Sequence, residues 1–263
     1  MEQTVTIDGA SHRLALRLAR DAADLAAVQR LRWQVFYEEM GASAEIGAAI
    51  GLDADPFDDL CDHLLVIDRD AAQGEAVIGT YRLLRENIAR AHGGFYSADE
   101  FEIGMLGKGA AGRGELLELG RSCVLPPYRT SATISLLWRG IGDYIARHRI
   151  ALLFGCASFP GTEAEVHAAA LSYLFANHLA PEELRPRVHP ARAARWTALD
   201  PASYDPRRAL LAMPPLVKAY LRVGAMVGDG AFVDHAFNTV DVCVVMPVEK
   251  MSERYAARFS VAA

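Results

Sequence analysis

Basic residues are in deficit: 27 Lys and Arg against 33 Asp and Glu leave a formal charge of −6. That balance argues against a surface built to hold nucleic acid, although local basic clusters remain. Cysteine is scarce too. Cys61, Cys123, Cys156 and Cys243 lie far apart and form no CxxC pair, so buried, reduced thiols of a cytoplasmic protein are expected. No stretch approaches the ~20 uninterrupted apolar residues of a spanning helix, and residues 1–21 lack the apolar core of a signal peptide. Internal repeats and low-complexity tracts are absent. What is present, 52% hydrophobic and 23% charged residues, predicts one globular domain over 1–263 with an Arg/Pro-rich insertion at about 180–208.

The segment 47–62, GAAIGLDADPFDDLCD, carries five aspartates. Its D-x-D start invites a calcium loop, but the loop glycine and closing glutamate are missing, and no metal is implied. Two readings stay open: a solvated acidic loop, or an acid-lined wall for a cationic substrate.

The organising stretch is 115–160, ELLELGRSCVLPPYRTSATISLLWRGIGDYIARHRIALLFGCASFP. It reads as a strand to Leu125, a Pro-Pro-Tyr-Arg break, a helix over 131–148 and a buried strand over 150–159, which is a βαβ unit. Such a unit forces a parallel pair with a right-handed crossover. Counting by two places Leu117, Leu119, Arg121 and Cys123 on one face of its first strand, and Leu116, Glu118, Gly120, Ser122 and Val124 on the other. An acid and an arginine inside an apolar strand need partners, a ligand or water.

Upstream, residues 12–19 alternate as a first strand, and a helix capped by Asp21 or Asp24 runs to Met40 and Gly41 with the stripe Leu25, Val28, Leu31, Val35, Phe36. Arg32 falls within that stripe and faces inward. Residues 63–68 and 75–85 read as two antiparallel strands, the second placing Ile78, Thr80, Arg82 and Leu84 on one face. Residues 87–114 read as mixed, with a short helix near 98–101. Downstream come a helix to His178, an apolar helix over 216–227 and a closing strand over 237–246.

The element order resembles the GNAT N-acyltransferase fold, an α/β arrangement with a mixed central sheet and helices on both faces. The segments LRWQVF (31–36), DPFD (55–58), YRLL (81–84) and ELGRSCV (118–124) resemble those of the acyl-homoserine-lactone synthases in order and spacing. The longer run ELGRSCVLPPYRTSATISLLWRGIGDYIARHRIALLFGCASFPGT, with PPLVKAYLRVGA and FNTVDVCVVM, resembles the ornithine Nα-acyltransferases over nearly the whole chain. This second resemblance implies transfer of a 3-hydroxyacyl group from acyl carrier protein to the α-amine of ornithine, giving lyso-ornithine lipid. No bound cofactor is implied beyond the carrier's phosphopantetheine arm. A location in the cytoplasm, peripheral to the inner-membrane surface, follows from the product. Alternatives are a lactone synthase-like enzyme consuming S-adenosylmethionine, and a non-catalytic acyl- or membrane-binding protein.

Where acetyl-CoA users carry glycines that let backbone amides hold a pyrophosphate, the turn here reads Arg129-Thr130-Ser131-Ala132-Thr133-Ile134. Loss of both glycines suits a single-phosphate donor arm. Arg129, Ser131, Thr133 and Arg139 are therefore expected on the donor side. With Arg147 and Arg149, or with the arginines of 185–208, they offer a basic dock for an acidic carrier.

Aminolysis of a thioester needs a neutral amine and donors for the oxyanion. Glu118 is the first candidate base, with a structural partnership to Arg32, Arg82 or Arg121 as its other reading. The lactone-synthase resemblance implies substrate contacts for Asp55 and Asp58, with Asp58 also able to share the base role, and an acceptor-lining place for Phe36. Arg32, Arg82 and Arg121 offer forks for the acceptor carboxylate, at least one of them being structural. The fold implies an oxyanion amide where the strand over 151–156 splays, and an acid for the leaving thiolate at Tyr173. Cys123 and Cys156 have no His-Cys constellation around them, so direct attack is preferred to an acyl-enzyme.

Overall fold

A computed structural model describes residues 13–43, 51–72, 74–110 and 113–251. The alternating Leu14–Leu18 forms β1, and Asp21 caps the helix α1 (Ala22–Trp33) by accepting the Asp24 amide at 2.9 Å. A π-helical turn, Gln34–Glu39, continues α1 to Gly41, whose φ of 77° ends it. The strands β2 (Asp62–Asp68) and β3 (Ala76–Arg85) form the expected antiparallel pair. After α2 (Glu86–Ala91) come a 3₁₀ turn, Tyr96–Asp99, the two-residue β4 (Phe101–Glu102) and α3 (Gly104–Gly109). The βαβ unit is β5 (Glu115–Val124), α4 (Ser131–His148) and β6 (Ile150–Pro160). Then follow α5 (Ala168–His178), β7 (Arg187–Val188), α6 (Pro206–Ala212), α7 (Pro215–Arg222), β8 (Met226–Asp234) and β9 (Thr239–Pro247).

The nine strands form one mixed sheet in the order β1-β2-β3-β5-β6-β9-β8-β7-β4, with β5/β6 and β7/β8 parallel. On one face α4, α5 and α7 cover a large core that includes Leu64, Leu83, Leu117, Leu137, Ile141, Leu171 and Val217. The other face carries α1 over Leu65 and Ile67, and α3 with β4 over Leu116, Leu152 and Phe154. Each fully buried leucine contributes roughly 1.5–3 kcal/mol, so the helices are held by the sheet rather than by their own propensity.

Several local expectations change. The helix expected over 216–227 ends at Arg222, and Met226 opens β8, because Gly224 adopts a φ of 98° and breaks the run. Residues 87–114, expected to hold one short helix, contain two α-helices and a 3₁₀ turn. The Arg/Pro-rich segment is not purely a surface excursion: β7 lies between β8 and β4, and Ala193 bridges Phe232.

Two bulges matter for the site. In β3, Gly79 pairs Val66 while Val77 pairs Ile67, so Ile78 is an extra residue and turns toward the α4 core with Tyr81 and Leu83. The expectation that Ile78 shares a face with Thr80, Arg82 and Leu84 is thereby corrected. In β5, Gly120 pairs Arg82 and Cys123 pairs Thr80, three steps against two, with Arg121 in the left-handed region at φ 47°. This bulge reverses the parity of the strand. Leu117, Leu119 and Val124 all join the α4 core, whereas Cys123 packs with Leu31 and Val35 of α1. Arg121 is carried to the face of Glu118, not the opposite one.

Candidate active site

The parallel pairing of β5 with β6 runs only from Glu115↔Ile150 to Glu118↔Phe154. Beyond it the two strands separate, while β6 stays paired with β9 through Pro160. At the point of divergence Gly155 lies so close to β5 that a Cβ there would sit 2.2 Å from the Leu119 carbonyl oxygen, which only glycine permits. A cavity of 580 Å³ fills the gap and passes through the sheet. Leu119, Val124 and Ala157, with Leu137, Trp138, Leu216 and Ala219, make its apolar end on the α4/α7 side. Its polar end on the α1 side holds Arg82, Glu118, Arg121, Asp234 and Asp241.

The acidic loop lies beneath that polar end, and three of its aspartates, Asp53, Asp55 and Asp58, are paired with arginines. Arg32, fully buried, forks onto Asp58 (Nη1–Oδ1 2.9 Å, Nη2–Oδ2 2.7 Å) and pairs through Nε with Asp53 at 2.7 Å. Arg82 donates through Nη1 to both Asp55 oxygens, at 2.6 and 2.7 Å, and to Asp58 at 3.0 Å. Arg121 pairs with Asp55 at 2.9 Å and Asp53 at 3.3 Å, its guanidinium between the rings of Tyr96 and Phe237 at 4.8 and 4.4 Å. Three guanidinium groups thus meet three carboxylates. Burial alone would raise the Asp58 carboxyl, but Arg32, with help from Gln29 and Arg82, holds it well below the usual carboxylate range.

These contacts revise the expected roles. Asp58 is neither a solvated loop residue nor a proton acceptor near neutrality, and Asp55 is neutralised by two arginines. Arg32 does not line the cavity; it is the structural arginine that ties α1 to the loop. Arg82 and Arg121 do line it. Phe36 lines it as well, edge-on to Phe237 at 5.7 Å, so the π-helical turn presents this ring while Arg32, one turn earlier, holds the loop.

Glu118 borders the cavity and accepts three hydrogen bonds, from the amides of Tyr96 (3.0 Å) and Ser97 (2.7 Å) and from the Ser97 hydroxyl (2.5 Å). The 3₁₀ turn therefore fixes the carboxyl in place. Burial pushes it above its ordinary pKa, and the Ser97 and backbone hydrogen bonds only partly offset this. Cys156 and Cys123 are pushed up by burial too, Cys123 to about 12. Both are therefore thiols rather than thiolates near neutral pH.

On the donor side, Arg129 lines the mouth but is bound bidentately by Glu39 at 2.6 Å per contact and donates to the Val124 carbonyl at 3.0 Å. Thr133 is 1% exposed, its amide donating to the Thr130 cap at 3.3 Å, so its side chain belongs to the core rather than to a donor site. Ser131 is exposed in the first turn of α4, while Arg139 is half-buried, and neither lines the cavity. Tyr173 is on α5, its ring 5.9 Å from His178 and outside the cavity, which removes it as the acid for the leaving thiolate.

Three acids escape sequence reasoning. Glu100, Asp234 and Asp241 place carboxylate oxygens within 4.8 Å of one another; Asp234 and Asp241 line the polar end, and Glu100 lies behind it against the Cys156 thiol. Burial, then the charge of Asp241, raises Glu100 to about 8; burial also raises Asp241 to about 6. Asp241 had a sequence signal, a charge in the apolar strand FNTVDVCVVM. Asp53 had another: three inward arginines call for three acids.

Residues 31–139 match the acetyltransferase (GNAT) domain. The chain is 48% identical over 248 residues to the L-ornithine N(alpha)-acyltransferase of Rhizobium meliloti (strain 1021), covering 92% of this chain and 82% of that one. It is 46% identical over 253 residues to the protein of the same name from Brucella abortus (strain 2308), covering 95% and 90%. Among solved structures, the AHL synthase LasI aligns at a TM-score of 0.47 and 16% identity, over 88% of this chain and 89% of that chain. On the identity to these full-length relatives, the chain belongs to the L-ornithine N(alpha)-acyltransferase family of GNAT-type N-acyltransferases.

Proposed function

We propose that the protein transfers a 3-hydroxyacyl group from acyl carrier protein to the α-amine of ornithine, giving lyso-ornithine lipid. The observation that carries this reading is the cavity through the sheet, apolar on one side and densely charged on the other, with the divergence of β5 and β6 between them. A fatty chain and an amino acid are brought to opposite ends of one channel, so thioester and amine meet at the strand opening. The ornithine acceptor comes from the relatives' names. The carrier-protein donor rests on the alanine and isoleucine at the glycine positions of the 129–134 turn.

Arg121 is the arginine for the acceptor carboxylate: its side chain is the most exposed of the three, at 11%, and it faces the cavity between Tyr96 and Phe237. Glu118, with a raised pKa and one oxygen that, among the described residues, accepts only the Tyr96 amide, takes the proton of the α-ammonium directly or through water. The neutral amine attacks the thioester carbonyl, and the edge of β6 past Phe154, which has no ladder partner on the β5 side, offers the oxyanion its amide. The C–N bond forms and the C–S bond breaks; the second proton, shed by the attacking nitrogen as it becomes an amide, reaches the departing thiolate through water, and Glu118 returns the first to solvent.

The test incubates the pure full chain with 3-hydroxyacyl carrier protein and ornithine, S-adenosylmethionine or neither. Free thiol and product mass are followed. Ornithine-dependent thiol release with an N-acylornithine mass is the expected result; release dependent on S-adenosylmethionine, or none, refutes the reading.

A further inference from the structure

Arg32, Arg82 and Arg121 pair with Asp53, Asp55 and Asp58, Arg121 keeping a face on the cavity between Tyr96 and Phe237, while Glu100, Asp234 and Asp241 form a second acidic group with no salt bridge among the described residues. Glu100 and Asp241 are 4% and 5% exposed. Glu100 accepts from the Cys156 thiol at 3.0 Å, and Asp234 Oδ1 accepts the amides of Ala236 and Phe237 at 2.8 and 3.0 Å. Asp241 Oδ1 has no well-aligned donor among the described residues, only the Ser158 and Thr239 hydroxyls nearby, yet it is buried and belongs to the cavity wall. A buried carboxylate served only by poorly aligned hydroxyls gains from a charged N–H that a ligand supplies.

The place of the cluster identifies that ligand. Asp241 faces Ser158 across the β6/β9 ladder, two residues beyond Cys156, which borders the opening. Two strand residues span about 6.6 Å, the order of the separation between the two nitrogens of ornithine. Arg121 stacks on the ring of Phe237, whose amide Asp234 accepts, so a guanidinium and the Asp234–Asp241 side of the cluster face the same space, with Glu100 behind them. An amino acid whose side chain ends in an ammonium complements both.

We propose that Glu100, Asp234 and Asp241 form the subsite for the side-chain δ-ammonium of the acceptor. The subsite rests on the ornithine reading above and adds what selects ornithine over neutral amino acids. It also replaces Asp55 and Asp58, whose charges are already neutralised, in that role.

The experiment compares kcat/KM for ornithine and for norvaline, which has the same carbon skeleton without the δ-amine. The full chain is used with one 3-hydroxyacyl carrier protein, as wild type, Asp241→Asn and Glu100→Gln, and with and without a chelator. Wild type is expected to prefer ornithine at least about 100-fold, because a site built for a polar group leaves its own groups unpaired with the analogue. Each substitution is expected to cut that ratio at least about tenfold. Equal use of the two acceptors by the wild type overturns the subsite while the acyltransferase reading stands; acylation of neither overturns both. An unchanged ratio in both variants refutes the role of the cluster, and loss of ornithine preference on chelation assigns it to a metal ion instead. Should those variants fail to fold, Asp234→Asn, whose amide oxygen can still accept the Ala236 and Phe237 amides, takes their place in the same comparison, and an unchanged ratio in it refutes the role of the cluster.

Discussion

Asp58→Asn separates a structural carboxylate from a catalytic one. Asp58 is 4% exposed and carries the Arg32 fork, the Arg82 contact at 3.0 Å and the Gln29 amide at 2.9 Å. Neutralising it leaves three guanidinium groups, those of Arg32, Arg82 and Arg121, to share Asp53 and Asp55, and breaking a buried pair in this way costs about 3–5 kcal/mol. At about 2–4 °C per kcal/mol for a chain near this size, the melting temperature should fall by roughly 6–20 °C. The pH dependence supplies a second reading of the same contact. Because the folded-state pKa is depressed, the contribution of Asp58 is present above its unfolded value, about 3.9, and is lost as pH falls toward the folded one. Thermal melts at pH 7 and at pH 3 should therefore show wild type and variant far apart at the first and closer at the second, with the gap closing only as pH falls on toward the folded value. A variant that melts like the wild type at pH 7 but has lost turnover refutes the structural assignment and returns Asp58 to the chemistry.

Four further outcomes follow from the same geometry. Gly155→Ala places a Cβ 2.2 Å from the Leu119 carbonyl; it should destabilise by about 1–3 kcal/mol in urea titrations and depress turnover, and wild-type behaviour in both would show that the strand opening is not fixed there. Glu118→Gln should lower kcat about 100-fold or more with the donor KM within a few-fold, since general base catalysis contributes 10²–10⁴; a wild-type rate removes Glu118 as base. Glu100 is an acid whose folded-state pKa is raised to about 8 by burial, then by Asp241, with Asp234 and the Cys156 thiol also beside it. Its stabilising contribution is thus present below its unfolded value, about 4.3, and is lost as pH rises through about 8, so Glu100→Gln should flatten the decline in melting temperature between pH 5 and 8 in the unliganded chain; an unchanged decline refutes this. Along a series of acyl donors, each methylene buried among Leu137, Trp138, Leu216 and Ala219 should raise kcat/KM about fourfold, from ~0.8 kcal/mol apiece, until the end of the cavity is reached. Indifference to chain length would place the acyl group elsewhere.

Much of the frame is legible in the sequence because periodicity reports burial directly. The run over 131–148 forms α4 with those bounds, and Leu117, Leu153 and Ile141 are buried where their spacing puts them. β8 escaped because Met226-Val-Gly-Asp-Gly carries no clean alternation, and its Gly230 sits at φ 84° against Val188 of β7. The site was half legible for a related reason. A charge within an apolar run marks Glu118, Arg32, Arg82 and Arg121 as special, but pairing is a tertiary fact. Nothing local says that Asp53 rather than Glu118 meets Arg32, or that residues 100, 234 and 241, more than a hundred positions apart at the extremes, converge.

The β5 bulge shows most clearly why counting by two stops short of the chemistry. Read as a regular strand, β5 puts Arg121 among the apolar residues of the α4 core and Glu118 alone on the opposite face. One extra residue, held at φ 47° in a conformation that costs a non-glycine residue about 1–2 kcal/mol, rotates Arg121 through the sheet. There it meets Asp53 and Asp55 and stacks between two rings, which offset that cost. The face it leaves keeps Leu119 and Val124, which line the apolar end of the cavity. A single backbone irregularity thus sorts one strand into a charged side and an apolar side, at the level where β6 turns away and the cavity opens between them.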